Sequence, residues 1–265
     1  MSAVVPLVEA LDVSRFGGKA AHLAEALVAG LPVPDGLALS VAAVEAVAAG
    51  DDGPLAALAP LLPGPLAVRS SAVGEDGASA SFAGQLVTVL NVVDAAGLRA
   101  AVLAVHDSAH GAVAAAYRAR SGALAPARTG VVVQPLVPAD AAGVAFTRDP
   151  LGSDHVVIEA SWGLGEAVVG GYVTPDLFRV ARNGRIVERV AGAKEVLLVP
   201  VAGGGVEEVE AAGGAAARLC LNDTQVVAVA GLALECEQQF GGAQDIEWAV
   251  VGDRLVLLQS RPVTR

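Results

Sequence analysis

Four polar side chains near the C-terminus, Asp245, Glu247, Gln259 and Arg261, interrupt "DIEWAVVGDRLVLLQSRP", which otherwise reads as two buried β-strands around a Gly252–Asp253 turn signal. Carboxylate and amide oxygens on adjacent strands are donors for a hard cation such as magnesium, which can also hold phosphate oxygens. Register decides whether they meet. A two-residue turn with an unbroken ladder sets Glu247 opposite Leu258 and puts Gln259 on the other face. A three- or five-residue loop, or one bulge, sets Glu247 opposite Gln259 and Asp245 opposite Arg261, leaving Ile246, Trp248, Val250, Leu258 and Val256 to the core. In that second register the polar face is either a cation site built on Glu247 and Gln259 or an exposed surface with an Asp–Arg pair.

Two other segments carry features of phosphate sites. "FGGKAA" puts Lys19 in the first turn of a helix behind two glycines, where backbone N–H groups and a positive charge favour an anion. It is not a P-loop, because the glycine spacing differs and Ala20 follows the lysine. "VRSSAVGEDGASASFAGQ" leads from Arg69, at a strand end, into a loop of small hydroxyl and glycine residues. Such a loop either closes over phosphates, with a guanidinium that never titrates, or is an ordinary serine-rich surface loop. "EASWGLGEAVVGGYVTPD" surrounds Glu166 with Gly163, Gly165, Gly170 and Gly171, and does not match the dinucleotide-binding fingerprint.

The elements that must position these residues follow from periodicity and punctuation. A helix holding Lys19, Leu23 and Leu27 stops at Gly30 before Pro32 and Pro34, and Ser40 caps a second helix running to Ala49. Asp51 to Pro65 is a Pro/Gly-rich connection with one helical turn, "LAVRSS" and "QLVTVLNV" read as strands, and Asp94 to Arg120 as one or two helices capped by Asp94. From Thr129 the texture is β: "GVVVQPLV", "GVAFT", "HVVIEAS" and a hairpin in "DLFRVARNGRIVERV" around Asn183 and Gly184. A helix capped by Asn222 or Asp223 and ended by Gly241 leads into the polar hairpin. A helical first half and a sheet-rich second half predict a single α+β domain of two lobes, 1–127 and 128–265, with a cleft between them.

Composition narrows the function. A chain of 265 residues can bury a core around a site, and a net charge of −11 argues against a duplex nucleic-acid partner. The 54% hydrophobic content comes from Ala and Val, with 3% aromatics, and no apolar run reaches the roughly 18 residues of a spanning helix. The N-terminus lacks a basic segment followed by an apolar one, so the expectation is a cytoplasmic protein with no membrane partner. Cys220 and Cys236 have neither metal nor disulfide spacing and read as packed thiols. Of the four histidines, His106 and His110 are spaced i, i+4 without an obvious third ligand, while His22 and His155 stand apart.

Five blocks, "GGKAAHLAEALVAGLPVPDGLALS", "VRSSAVGEDGASASFAGQLVTVLNV", "VVVQPLVPADAAGVAFTRDP", "EASWGLGEAVVGGYVTPDLF" and "DIEWAVVGDRLVLLQSRP", together resemble the N-terminal nucleotide-binding domain of the phosphoenolpyruvate synthase and pyruvate phosphate dikinase family, which rifampicin phosphotransferases share. The resemblance implies an ATP-grasp fold, ATP and Mg2+ as cofactors, and roles for individual residues. Lys19 and Arg69 fall on the phosphate-contacting cations, Gly84 and Thr88 on the lid, and Gln134 on the adenine side. Glu247 and Gln259 fall on metal-associated positions with Asp245 beside them, and Arg261 on the arginine that meets the transferring phosphates. Glu166, among the catalytic candidates, and Arg148 are secondary. Family members usually continue into a swivelling domain with a phosphohistidine in a Thr-Gly-Gly and Ser-His-containing motif, then an acceptor-binding domain; neither motif occurs here. The expectation is therefore a subunit that passes a phosphoryl or pyrophosphoryl group to a histidine on a separate partner protein. A direct small-molecule kinase or ligase and a non-catalytic ATP-binding module are the alternatives.

Overall fold

The computed structural model describes residues 2–62, 64–74, 87–110, 128–149 and 152–263. Two compact units are present: Met1–Val28, Asp35–Leu136 and Val201–Gly205 form the first, and Ala29–Pro34, Val137–Pro200 and Val206–Arg265 the second.

In the first unit β1 (Val4–Pro6), α1 (Val13–Phe16), α2 (Gly18–Val28), β2 (Leu37–Leu39), α3 (Val41–Ala48), α4 (Gly53–Ala56), β3 (Leu66–Ala72), β4 (Thr88–Val92), α5 (Ala95–His110) and β5 (Thr129–Pro135) succeed one another. The five strands make one antiparallel sheet in the order β1-β2-β5-β3-β4. Alternation sends Leu39, Leu66, Val68, Val131 and Val133 to one face, where they pack with Val44 and Val47 of α3 and Leu98, Val102 and Val105 of α5. The helical spacing of those α5 residues is what buries one stripe of it. Ser40 caps α3 by accepting from the Ala43 N–H at 3.2 Å, and the Asp94 carboxylate accepts from the Gly97 N–H at 2.7 Å. Of the span expected to be helical to Arg120, the part beyond His110 lies outside the described residues.

Two expectations need adjustment here. β5 pairs with both β2 and β3, so the first unit continues to Leu136 rather than ending at residue 127. The helix-rich first half also carries a full sheet, because β1 and β2 are three-residue strands too short for periodicity to reveal.

In the second unit a six-stranded antiparallel sheet has the order β13-β12-β6-β7-β8-β9. Its strands are β6 (Ala141–Phe146), β7 (His155–Trp162), β8 (Asp176–Ala181), β9 (Ile186–Val190), β12 (Gln244–Val251) and β13 (Arg254–Pro262), with a separate hairpin of β10 (Val196–Pro200) and β11 (Val206–Glu210). Gly184, at φ 84, makes the β8–β9 turn that the Asn-Gly dipeptide announced. A short helix, α6 (Glu166–Val169), and a long one, α7 (Asp223–Phe240), complete the unit. Asn222 caps α7: its side chain accepts from the Gln225 N–H while Gln225 reaches back to the Asn222 N–H, and Gly241 closes the helix at φ 73. Val226, Val229, Ala230, Ala233 and Cys236 form the buried stripe of α7. It packs on β12, β13, β6 and β7, with Cys236 beside Ser260. Both cysteines are buried free thiols, and burial pushes Cys236 up to about 11. Among the described residues no helix is long and apolar enough to cross a membrane.

Candidate functional site

Lys19 opens α2, and two glycines let it approach the sheet. Gly17 has φ 84, and a Cβ there would lie 1.9 Å from the Ser71 carbonyl oxygen; a Cβ on Gly130 would lie 2.5 Å from that of Phe16. The α1–α2 junction can therefore sit directly on β3 and β5. The Ala20 N–H then donates to Ser71 Oγ at 2.9 Å, and Lys19 Nζ donates to the Ser70 carbonyl at 2.9 Å. Arg69 is the next residue back along β3. It lies in mid-strand rather than at a strand end, paired with Val132 on one side and Thr88 on the other. Ala67 pairs with Gln134, so Arg69, Thr88 and Gln134 share the sheet face opposite the α3–α5 core. Lys19, Arg69 and Gln134 are all buried. Gly84 lies outside the described residues.

In the second unit the hairpin combines two features that the sequence presents as alternatives. The turn is the two-residue Gly252–Asp253, and from it Val251 pairs with Arg254 and Trp248 with Leu257. A bulge then interrupts the ladder between Glu247 and Trp248, beyond which Glu247 pairs with Gln259 and Asp245 with Arg261. Glu247 and Gln259 thus face the same side. The bulge corrects the core assignment: Leu257, fully buried, stands opposite Trp248, Leu258 is half-buried, and Val256 pairs with Ala249.

Asp245 and Arg261 meet in a forked pair, Asp245 Oδ2 accepting from Arg261 Nε at 2.8 Å and from its NH2 at 2.6 Å. Asp245 Oδ1 is buried with no hydrogen-bond partner among the described residues. Burial pushes the Asp245 carboxyl above its ordinary range, Arg261 opposes that, and the nearby Glu247 adds to it. The folded state therefore takes up this proton at a higher pH than the unfolded chain, so the stability it contributes is present below the ordinary carboxylate pKa and lost as pH rises through the raised value. Thermal unfolding midpoints should fall less steeply from about pH 4 to about pH 8 in Asp245→Asn than in the unaltered protein; parallel curves would contradict the assignment.

Glu166, half-buried, begins α6 behind Gly165, and Arg148 is exposed in the bend after β6. One acidic residue on the polar face escaped the sequence reading. Glu247 pairs with Val144 and Val144 with Glu159, so Glu159 stands on the same face two strands away. The signal was the alternation within "HVVIEAS", which sets Val157, Glu159 and Ser161 together. No three His, Cys, Asp or Glu side chains gather as a metal group among the described residues, so a cation at the hairpin also needs the Gln259 amide oxygen.

Residues 54–265 match the family described as pyruvate phosphate dikinase, AMP/ATP-binding domain. A rifampicin phosphotransferase from Streptomyces sviceus is 41% identical over 201 residues, covering 75% of this chain and 23% of that protein. A probable phosphoenolpyruvate synthase from Methanothermobacter thermautotrophicus is 38% identical over 202 residues, covering 75% and 29%. The prodigiosin synthesizing transferase PigC from Serratia marcescens is 36% identical over 286 residues, covering 96% and 32%. The chain thus spans less than a third of the length of each of these relatives. The matched span takes in the Arg69 strand, Gln134 and the whole polar hairpin, and by it the chain belongs to the pyruvate phosphate dikinase AMP/ATP-binding domain family.

Proposed function

We propose that the chain is the nucleotide-binding part of an ATP-dependent phosphotransferase, which passes a phosphoryl or pyrophosphoryl group from magnesium-ATP to a histidine on a partner protein. The observation that carries this is the hairpin register, with Glu247 opposite Gln259 beside an Asp245 whose Oδ1 is buried with no hydrogen-bond partner among the described residues. That oxygen-donor set fits a hard divalent cation. Magnesium held by Glu247, Gln259 and Asp245 would supply charge neutralisation for the phosphates.

The chain's own residues do the rest by position and charge. Lys19 and Arg69 hold phosphate oxygens, and Thr88, with Gly84, belongs to the lid over them. Gln134 contacts the adenine. Arg261, its fork already oriented by Asp245, stabilises charge on the group in transfer. Glu166 is a candidate for positioning the acceptor, with Arg148 secondary. None of His22, His106, His110 or His155 lies in a Thr-Gly-Gly or Ser-His motif, which supports an acceptor histidine elsewhere. A reaction that consumes ATP in this way is expected in the cytoplasm.

The test is incubation with ATP labelled at the β phosphate and a separately expressed phosphohistidine domain. The expected result is label on that domain with release of AMP and phosphate. Normal ATP binding with no labelled protein, and ADP formed only with a small metabolite, would replace this reading by a direct small-molecule kinase.

A further inference from the structure

The His106 and His110 pair, on the exposed side of α5, has no part in the nucleotide chemistry. Their i, i+4 spacing brings the two rings together, with centroids 4.4 Å apart and planes 29° from parallel. The hydrogen bonds fix both tautomers. His106 Nδ1 lies 3.0 Å from Asp107 Oδ1, and His110 Nδ1 lies 2.9 Å from the His106 carbonyl oxygen. A carboxylate and a carbonyl can only accept, so Nδ1 carries the proton in both rings. In the neutral imidazole the remaining lone pair is then on Nε2, twice, on adjacent turns of one helix.

We propose that His106 and His110 form a two-histidine chelate for a borderline divalent transition ion, such as Zn2+, Ni2+ or Cu2+, with His106 Nε2 and His110 Nε2 as the ligands. Two features beyond the spacing support it. Metal-bound histidines characteristically donate their other ring N–H to a carboxylate or a backbone carbonyl, which fixes ring orientation and raises the basicity of the ligating nitrogen. Both kinds of outer partner are in place here before any metal binds. The rings are also accessible, His106 being partly exposed and His110 exposed, so entry requires no rearrangement of the core. No third His, Cys, Asp or Glu joins them among the described residues, so water completes the coordination shell. The ligand chemistry separates this site from the hairpin: imidazole nitrogens select borderline ions, whereas the oxygen donors of Glu247, Gln259 and Asp245 suit magnesium.

Calorimetric titration of the metal-free full chain with Ni2+ and with Zn2+ at about pH 7.5 tests the proposal. One equivalent should bind, with affinity falling at least tenfold in His106→Ala and again in His110→Ala, and by about tenfold in Asp107→Asn through loss of the outer partner. Cu2+ should bind more tightly than either ion, and Mg2+ should give no heat that the two histidine variants remove. A second readout is thermal: Ni2+ should raise the unfolding midpoint of the unaltered protein and leave that of His110→Ala unmoved. Unchanged affinity in either histidine variant, or no binding to the unaltered chain, would overturn the proposal without touching the nucleotide reading.

Discussion

Replacing Arg69 by methionine should lower ATP-dependent phosphoryl transfer by roughly 10³-fold while leaving the fold intact, a loss of about 4 kcal/mol of transition-state stabilisation. The backbone at this position is held by ladders on both sides, to Thr88 in β4 and Val132 in β5. The side chain is on the sheet face away from Leu66, Val68, Val131 and Val133, so an unbranched apolar replacement leaves that core untouched. On the proposed function, what is lost is a permanent positive charge that holds phosphates, in a reaction where positioning and neutralisation do most of the catalytic work. Arg69→Lys should recover only part of the rate, because an ammonium keeps the charge without the planar fork. Single-turnover transfer to a phosphohistidine domain, with circular dichroism as the control for folding, measures both. A methionine variant within threefold of the unaltered rate would remove Arg69 from the phosphate site.

The hairpin shows how much of this was legible beforehand. Pairing of Glu247 with Gln259 and of Asp245 with Arg261 followed from asking which register collects the polar groups on one face, and that register is present. The device that produces it was not legible. A bulge and a longer loop shift a ladder by the same residue, so the sequence left Leu257 and Leu258 indistinguishable as the partner of Trp248. Caps and turns with local chemistry, Ser40, the Asn222 capping box and Gly184, could be read directly, since their partners lie within four residues. The α+β class followed from periodicity, and the family from the sequence blocks, four of which lie within the matched residues 54–265. Long-range packing was invisible. Nothing in "FGGK" says that Gly17 must admit the Ser71 carbonyl, and nothing in "AGAKEV" separates Lys194 from a solvated surface lysine.

Lys194 is fully buried, and so is its partner Asp176. Lys194 Nζ donates to Asp176 Oδ1 and, at 3.1 Å, to the Ala216 carbonyl. Asp176 Oδ1 also accepts from the Gly192 N–H at 2.9 Å, and its Oδ2 from the Cys220 N–H at 2.7 Å. The pair thus ties the start of β8 to the connection before β10 and to the segment leading into α7, three stretches with no ladder between them. Burial, with the neighbouring Asp176 carboxylate, also holds the Cys220 thiol well above its ordinary value, so it stays a neutral packing group. Asp176→Asn or Lys194→Met should each cost about 3–5 kcal/mol in urea unfolding, because each leaves the other charge buried without its counter-charge. The double variant Asp176→Leu with Lys194→Met should lose less than the sum of the two single changes, since two apolar side chains of similar volume need no partner. A single variant within about 1 kcal/mol of the unaltered protein would mean that water reaches the pair when one member is removed, and the lock would then be only local. A double variant as damaged as the sum would mean that the backbone hydrogen bonds to Gly192, Ala216 and Cys220, rather than the charge pairing, hold these segments together.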